Sequence, residues 1–262
     1  MSYVEKMVGI SGCQIRLLRG GRDGAPPLVF LHGAGGHTGW MGFLDELARD
    51  YAVYAPEHPG FGRSDDPRWL DGVDDLAYFY LDFIEALGLD RVHLIGTSLG
   101  GWIAAELAVR NQTRLASLTL VCAVGITANG RPIDDIFRMP VTENLRRFYA
   151  DPERAARRLG DMAKIDAELY AKNRATVTRL AYHPRFHNPG LGKWLYRITV
   201  PTLLVWGDKD GLVPPEFGEA YHSAIPRSRL VVLDNAGHAP FDEQKDDFLA
   251  TFREFISAQS AR

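Results

Sequence analysis

Over the first 125 residues or so, short and nearly continuous apolar runs alternate with longer stretches in which apolar positions recur at helical spacing. The runs at residues 28–31, 51–55, 92–95 and 115–124 predict strands buried on both faces. The amphipathic stretches at 39–49, 73–87 and 99–110 predict the helices that connect them. Asp71 is placed to cap the second helix and Gly88 to end it in the left-handed conformation. Strand–helix alternation of this kind requires crossover connections and therefore a parallel sheet. Residues 3–19 alternate around Gly9 and Gly12 and predict an antiparallel hairpin at the sheet edge. The rhythm returns late, with strands at 200–206 and 230–233 and helices at 215–224 and 241–256. The predicted class is α/β: a mostly parallel sheet of about eight strands flanked by helices, built from residues 1–130 and 198–262.

Residues 131–197 read differently, with helical spacing, many arginines and no strand signal. This stretch carries a net charge of +6, whereas the remainder carries −9. Apolar residues at helical intervals, among them Leu145, Phe148, Tyr149, Leu159 and Met162, give it a face that must pack on something. The carboxyl ends of the strands, where open α/β sheets bind ligands, are the natural place.

Composition narrows the class of function. The 262 residues are 46% hydrophobic and 24% charged, an ordinary globular mixture. A net charge of −3 offers no basic field for nucleic acid. The uncharged apolar run at residues 115–130 is too short to cross a bilayer. The amino terminus shows no apolar leader, so the expectation is a cytoplasmic protein with a small-molecule substrate and neither a nucleic-acid nor a membrane partner. Cys13 and Cys122 are too far apart for a disulfide framework and form no CxxC pair. His183 and His187 are separated by Pro184, which opposes the helix that ligation at i and i+4 requires. No metal and no cofactor are expected.

The segment that carries chemistry is residues 92–105, in which an apolar strand runs through Gly96-Thr97-Ser98-Leu99-Gly100 into a helix. Such a turn exposes the serine at the mouth of a helix, and the glycines provide the room it needs. A serine hydroxyl is a poor nucleophile at neutral pH and requires a base, oriented in turn by a third group. His238 follows the 230–233 strand on a loop beside Gly237 and is the candidate base. Asp208 and Asp210 both follow the 200–206 strand, and either is placed to orient it. A third strand empties into His32-Gly33-Ala34-Gly35-Gly36-His37. Its unobstructed amides suit a tetrahedral oxyanion, and it lacks the Lys-Ser/Thr ending of a phosphate loop.

Taken in order, the strand followed by HG-x-G, the turn His58-Pro59-Gly60-Phe61-Gly62-Arg63-Ser64, the G-x-S-x-G segment, W-G-x-x-D-x-x-x-P and the late Gly-His resemble the α/β-hydrolase superfamily, over essentially the whole chain. The resemblance implies Asp210 as the acid of a Ser98–His238–Asp210 triad. It further implies oxyanion donors at the amides of Ala34 and Leu99, a structural role for His32, and a helical cap at 131–197. Family members that attack sp³ carbon place Asp at the position of Ser98, so those activities do not fit. Carbon–carbon hydrolases of ring-cleavage products share the triad and cap but typically carry HG-x-GPG and a Trp after the catalytic His. Here those positions read Ala34-Gly35-Gly36-His37 and Ala239.

The sequence therefore leads to a serine hydrolase of a small or medium carboxylic ester, working through an acyl-enzyme. The alternatives are a carbon–carbon hydrolase of ring-cleavage products, a cofactor-free perhydrolase, or a non-catalytic small-molecule receptor. His37, Phe148, Met162 and Arg174 are the candidates to face the substrate, Arg174 through a substrate carboxylate.

Overall fold

The computed structural model describes residues 3–37, 39–162, 164 and 166–260. Eight strands form one sheet: β1 (Tyr3–Ile10), β2 (Cys13–Gly20), β3 (Pro27–Leu31), β4 (Ala52–Pro56), β5 (Val92–Thr97), β6 (Leu115–Val121), β7 (Thr202–Gly207) and β8 (Ser228–Leu233), in the order β1-β2-β4-β3-β5-β6-β7-β8. The β1–β2 and β2–β4 pairs are antiparallel and all the others parallel. The hairpin turns at Ser11 and Gly12, both with positive φ. Every residue of β7 is buried, as its continuous apolar run requires of a strand covered on both faces.

Four helices follow the rhythm of the core: α1 (Gly42–Leu47), α2 (Val73–Ala86), α3 (Leu99–Arg110) and, after β7, α7 (Pro215–Ala224). The chain passes from β3 outward to β4 and then back across β3 to β5. With right-handed crossovers, α1 and α2 therefore take opposite faces of the sheet. That reversal opens a crevice between the carboxyl ends of β3 and β5, the usual ligand position in such sheets. The segment between β6 and β7 holds α4 (Val141–Phe148), α5 (Pro152–Met162), α6 (Ala167–Ala181) and a 3₁₀ turn at Gly192–Arg197.

Three sequence expectations are corrected in detail. The run at 115–124 leaves the sheet after Val121, because Cys122 turns the chain at φ 44. The helix expected at 241–256 is two, α8 (Pro240–Glu243) and α9 (Lys245–Ser260), broken at Gln244 with φ −125. Asp71 does not cap α2: Gly72 is the cap residue, and the Asp75 carboxylate reaches back to the amides of Asp71 and Gly72 at 2.8 and 2.9 Å. Gly88 does end that helix, at φ 62.

Candidate active site

Between the last residue of β5 and the first of α3 there is one residue, Ser98, and it makes the turn alone at φ 53, ψ −113. A non-glycine residue occupies such a conformation at a cost of order 1–3 kcal/mol, so its surroundings must enforce it. The Ser98 amide donates to Val121 O at 2.9 Å, and its carbonyl accepts from Trp102 N at 3.1 Å and Val124 N at 3.3 Å. The flanking glycines are a matter of contact: a Cβ on Gly96 would lie 2.3 Å from Gly100 O, and one on Gly100 would lie 2.1 Å from Leu31 O.

The loop after β3 comes up against this turn. A Cβ on Gly33 would lie 3.3 Å from Ser98 Cβ and 3.9 Å from its Oγ, so the Gly33 backbone faces the hydroxyl directly. Gly36 N donates to Gly33 O at 3.1 Å and closes the loop. Among the described residues, neither Ala34 N nor Leu99 N donates to a protein acceptor; Leu99 stands at the first turn of α3, where helix amides have no internal partner. Two buried histidines brace the loop from behind. His32 Nδ1 bonds Gly33 O at 2.8 Å, its Nε2 accepts from His58 N at 3.0 Å, and the two rings stack at 3.6 Å. Burial holds both imidazoles neutral, pulling His32 well below its ordinary range and His58 down to about 3.

Asp210 and His238 are brought together. His238 Nδ1 lies 2.7 Å from Asp210 Oδ2, and both side chains are buried. Asp210 Oδ1 accepts from Leu212 N and Val213 N, each at 2.9 Å, which fixes the plane of the carboxylate and leaves Oδ2 for the imidazole. Asp208, the other candidate, spends its Oδ1 on Ala236 N at 3.1 Å. Cys122 links this pair to the serine turn. It follows Val121, which holds the Ser98 amide, and its Sγ lies within 4.8 Å of an Asp210 carboxylate oxygen and a His238 ring nitrogen. No hydrogen bond joins Ser98 Oγ to His238 among the described residues; such bonds often close only in the substrate complex. The three groups do not suit a metal: burial, then Asp210, drives the Cys122 thiol far from its thiolate, and the carboxylate and imidazole are engaged with each other.

Of the four candidates to face the substrate, the structure brings one to the pair. The Phe148 ring meets the His238 imidazole edge-on at 5.0 Å and 72°, and Phe148 O accepts from His238 N at 2.6 Å. His37 lies T-shaped to His32 at 5.8 Å; its Nδ1 accepts from Gly39 N, its Nε2 is buried without a partner, and burial followed by the Arg16 charge pulls its pKa to about 4. Met162 is half-buried at the end of α5. Arg174 is exposed and stacks over the Phe137 ring at 5.4 Å. The sequence reading passed over Glu243, whose carboxylate accepts from Gly237 N beside His238; an acidic residue in the first turn of a short helix is its sole signal.

Comparison with known proteins agrees with this architecture. The model of the alpha/beta hydrolase family matches residues 28–251. A 2-hydroxy-6-oxononadienedioate/2-hydroxy-6-oxononatrienedioate hydrolase of Pseudomonas putida is 32% identical over 257 residues, covering 87% of this chain and 88% of its own. The crystal structure of a bacterial membrane phospholipase A, described as a virulence factor, superposes with TM-score 0.84 at 28% identity over 99% of this chain and 87% of that one. That of a 2-hydroxy-6-oxo-6-phenylhexa-2,4-dienoate hydrolase from Rhodococcus sp. strain RHA1 gives 0.84 at 23% identity, covering 98% and 99%, and speaks for the fold. With its sheet order, its serine turn and a family match across most of its length, the chain belongs to the alpha/beta hydrolase family.

Proposed function

We propose that this protein is a serine hydrolase that cleaves a bond to a carbonyl carbon, and that the bond is the carbon–carbon bond of a 2-hydroxy-6-oxo-dienoate ring-cleavage product. The serine chemistry rests on the buried His238–Asp210 pair behind the strained Ser98 turn. Ser98 Oγ adds to the carbonyl as His238 Nε2 takes its proton, while Asp210 holds Nδ1–H and stabilises the imidazolium. The oxyanion sits on Ala34 N and Leu99 N. The carbon–carbon bond then breaks with its electron pair on the dienoate fragment, which is protonated as it leaves, and water releases the acyl group from Ser98. The inserted helices act as the cap over this site.

The substrate class rests on similarity to the Pseudomonas putida dienedioate hydrolase, which supports carbon–carbon cleavage over the ester hydrolysis to which the sequence alone led. Ester cleavage remains the second reading, supported by Ala239 after the base and Gly35-Gly36 in the oxyanion loop, and by likeness to the phospholipase. The same machinery serves both, differing in whether the leaving atom is carbon or oxygen. Stopped-flow mixing with a coloured 2-hydroxy-6-oxo-dienoate tests the proposal: bleaching that Ser98→Ala slows by three orders of magnitude or more supports it. Turnover of aryl and alkyl esters with no bleaching overturns the carbon–carbon reading in favour of the ester one.

A further inference from the structure

The loop that carries His238 is bonded to the inserted helices above it as well as to the loops of the sheet that delivers it. At the end of α4 the backbone of residues 147–151 runs along both catalytic loops. Arg147 O accepts from Gly211 N at 3.0 Å, on the Asp210 side, and Phe148 O accepts from His238 N at 2.6 Å. One carboxylate completes the seam. Glu243 Oε2 accepts from Gly237 N at 2.7 Å, while Oε1 accepts from Ala150 N at 2.8 Å and Asp151 N at 3.4 Å. The fit is close, since a Cβ on Gly237 would lie 2.3 Å from Phe148 O and 2.8 Å from Ala150 N.

On the reading that His238 is the base, we propose that Glu243 is a positioning residue that fastens the His238 loop to the α4–α5 connection, so that the imidazole is aligned only while that connection is seated. The chemistry of the carboxylate suits the task. Both ends of the seam present backbone N–H donors, and an ionised carboxylate offers an acceptor to each side at once, through charge-assisted bonds. A glutamine in the same place has one acceptor oxygen; its NH₂ would face an N–H on the other side, so one half of the seam opens. Burial raises the Glu243 carboxyl above its ordinary range against the pull of the three amides, as expected of a charge kept half-buried for what it holds. A second tie between the same elements, Arg154 Nη1 to Asp242 Oδ2 at 2.8 Å, lies exposed and joins side chains, not the backbone beside the base.

The test compares Glu243→Gln, Glu243→Ala and, as control, Arg154→Ala in the full chain, with circular dichroism to establish that each is folded. NMR follows the His238 Nδ1 proton and the exchange rates of the Gly237, His238 and Ala150 amides. The proposal predicts that both Glu243 variants lose or shift the Nδ1 proton resonance and exchange these amides at least tenfold faster. It also predicts that they lower kcat ten- to a hundredfold with KM changed less than threefold, while Arg154→Ala stays within threefold of the parent throughout. Unchanged imidazole and amide signals in a folded Glu243→Gln protein overturn it. The NMR arm reads the seam even in a protein that turns nothing over, and failure of the hydrolase reading appears separately, as activity that survives Ser98→Ala or is absent from the parent.

Discussion

At the scale of the residue, the site depends on how Asp210 divides its oxygens. Oδ1 is held by two backbone amides and Oδ2 by His238, so Asp210→Asn can keep its Oδ1 bonds and its shape. The amide nitrogen then faces His238 Nδ1, forces the proton to Nε2, and removes the acceptor needed by the Ser98 hydroxyl. A fall in kcat of about 10⁴ with little loss of stability is expected, measured by steady-state turnover beside urea denaturation. Equal loss of both would mean that Asp210 serves the fold. Ser98 and His238 stand out in the sequence as candidates because each occupies a glycine-flanked turn or loop after an apolar strand. Residue chemistry alone could not separate Asp208 from Asp210, and only the motif resemblance favoured Asp210: both sit beside turns, and the distinction is which one finds the Leu212 and Val213 amides, a matter of loop geometry with no compositional signature.

At the scale of the element, strand and helix identity followed from periodicity, while their ends did not. The apolar run through Val124 continues past the last residue of β6 because Ala123 and Val124 are themselves buried, so hydrophobicity persists where the extended backbone stops. What seats the inserted helices was also illegible, since it is polar and pairs residues over a hundred positions apart. On α6, Lys172 Nζ reaches Gly62 O at 2.9 Å and Ser64 O at 2.6 Å, Asn173 Oδ1 accepts from Gly62 N at 2.8 Å, and Thr176 Oγ1 donates to Gly60 O at 2.6 Å. Thr176 is 2% exposed, so Thr176→Val exchanges that bond for a methyl and leaves a carbonyl unpaired. The expected cost is about 1–3 kcal/mol, read as a lower urea midpoint with earlier proteolysis within residues 131–197. An unchanged midpoint would show that α6 is held by apolar packing alone.

At the scale of the whole molecule, buried imidazoles govern the response to acid. Burial is the first cause in each: His32 lies well below its ordinary range, His58 falls to about 3, and His37 and His93 to about 4. Their folded pKa values are below the unfolded value near 6.5, so on acidification the unfolded chain binds protons first. Stability is full above about pH 6.5 and falls through the window down to 4 and then 3, by up to about 1.4 kcal/mol per pH unit for each imidazole that stays neutral. Glu57 and Glu243 act in the other direction, because burial raises both and the folded state binds their protons first. They are two against four, so the imidazoles set the sign of the change on acidification from pH 6.5. Urea midpoints at pH 7, 6 and 5 and constant ionic strength are expected to fall in that order, whereas a flat series would contradict neutral imidazoles at these four positions.

The claim on which the rest depends is that Ser98 is a nucleophile made reactive by His238. Reaction with a fluorophosphonate, read by mass spectrometry of the proteolysed protein, tests it most directly. The account predicts one adduct, on the peptide carrying Ser98, formed at least a thousandfold more slowly in folded His238→Ala. Labelling elsewhere, or at Ser98 with a rate indifferent to that substitution, would contradict it.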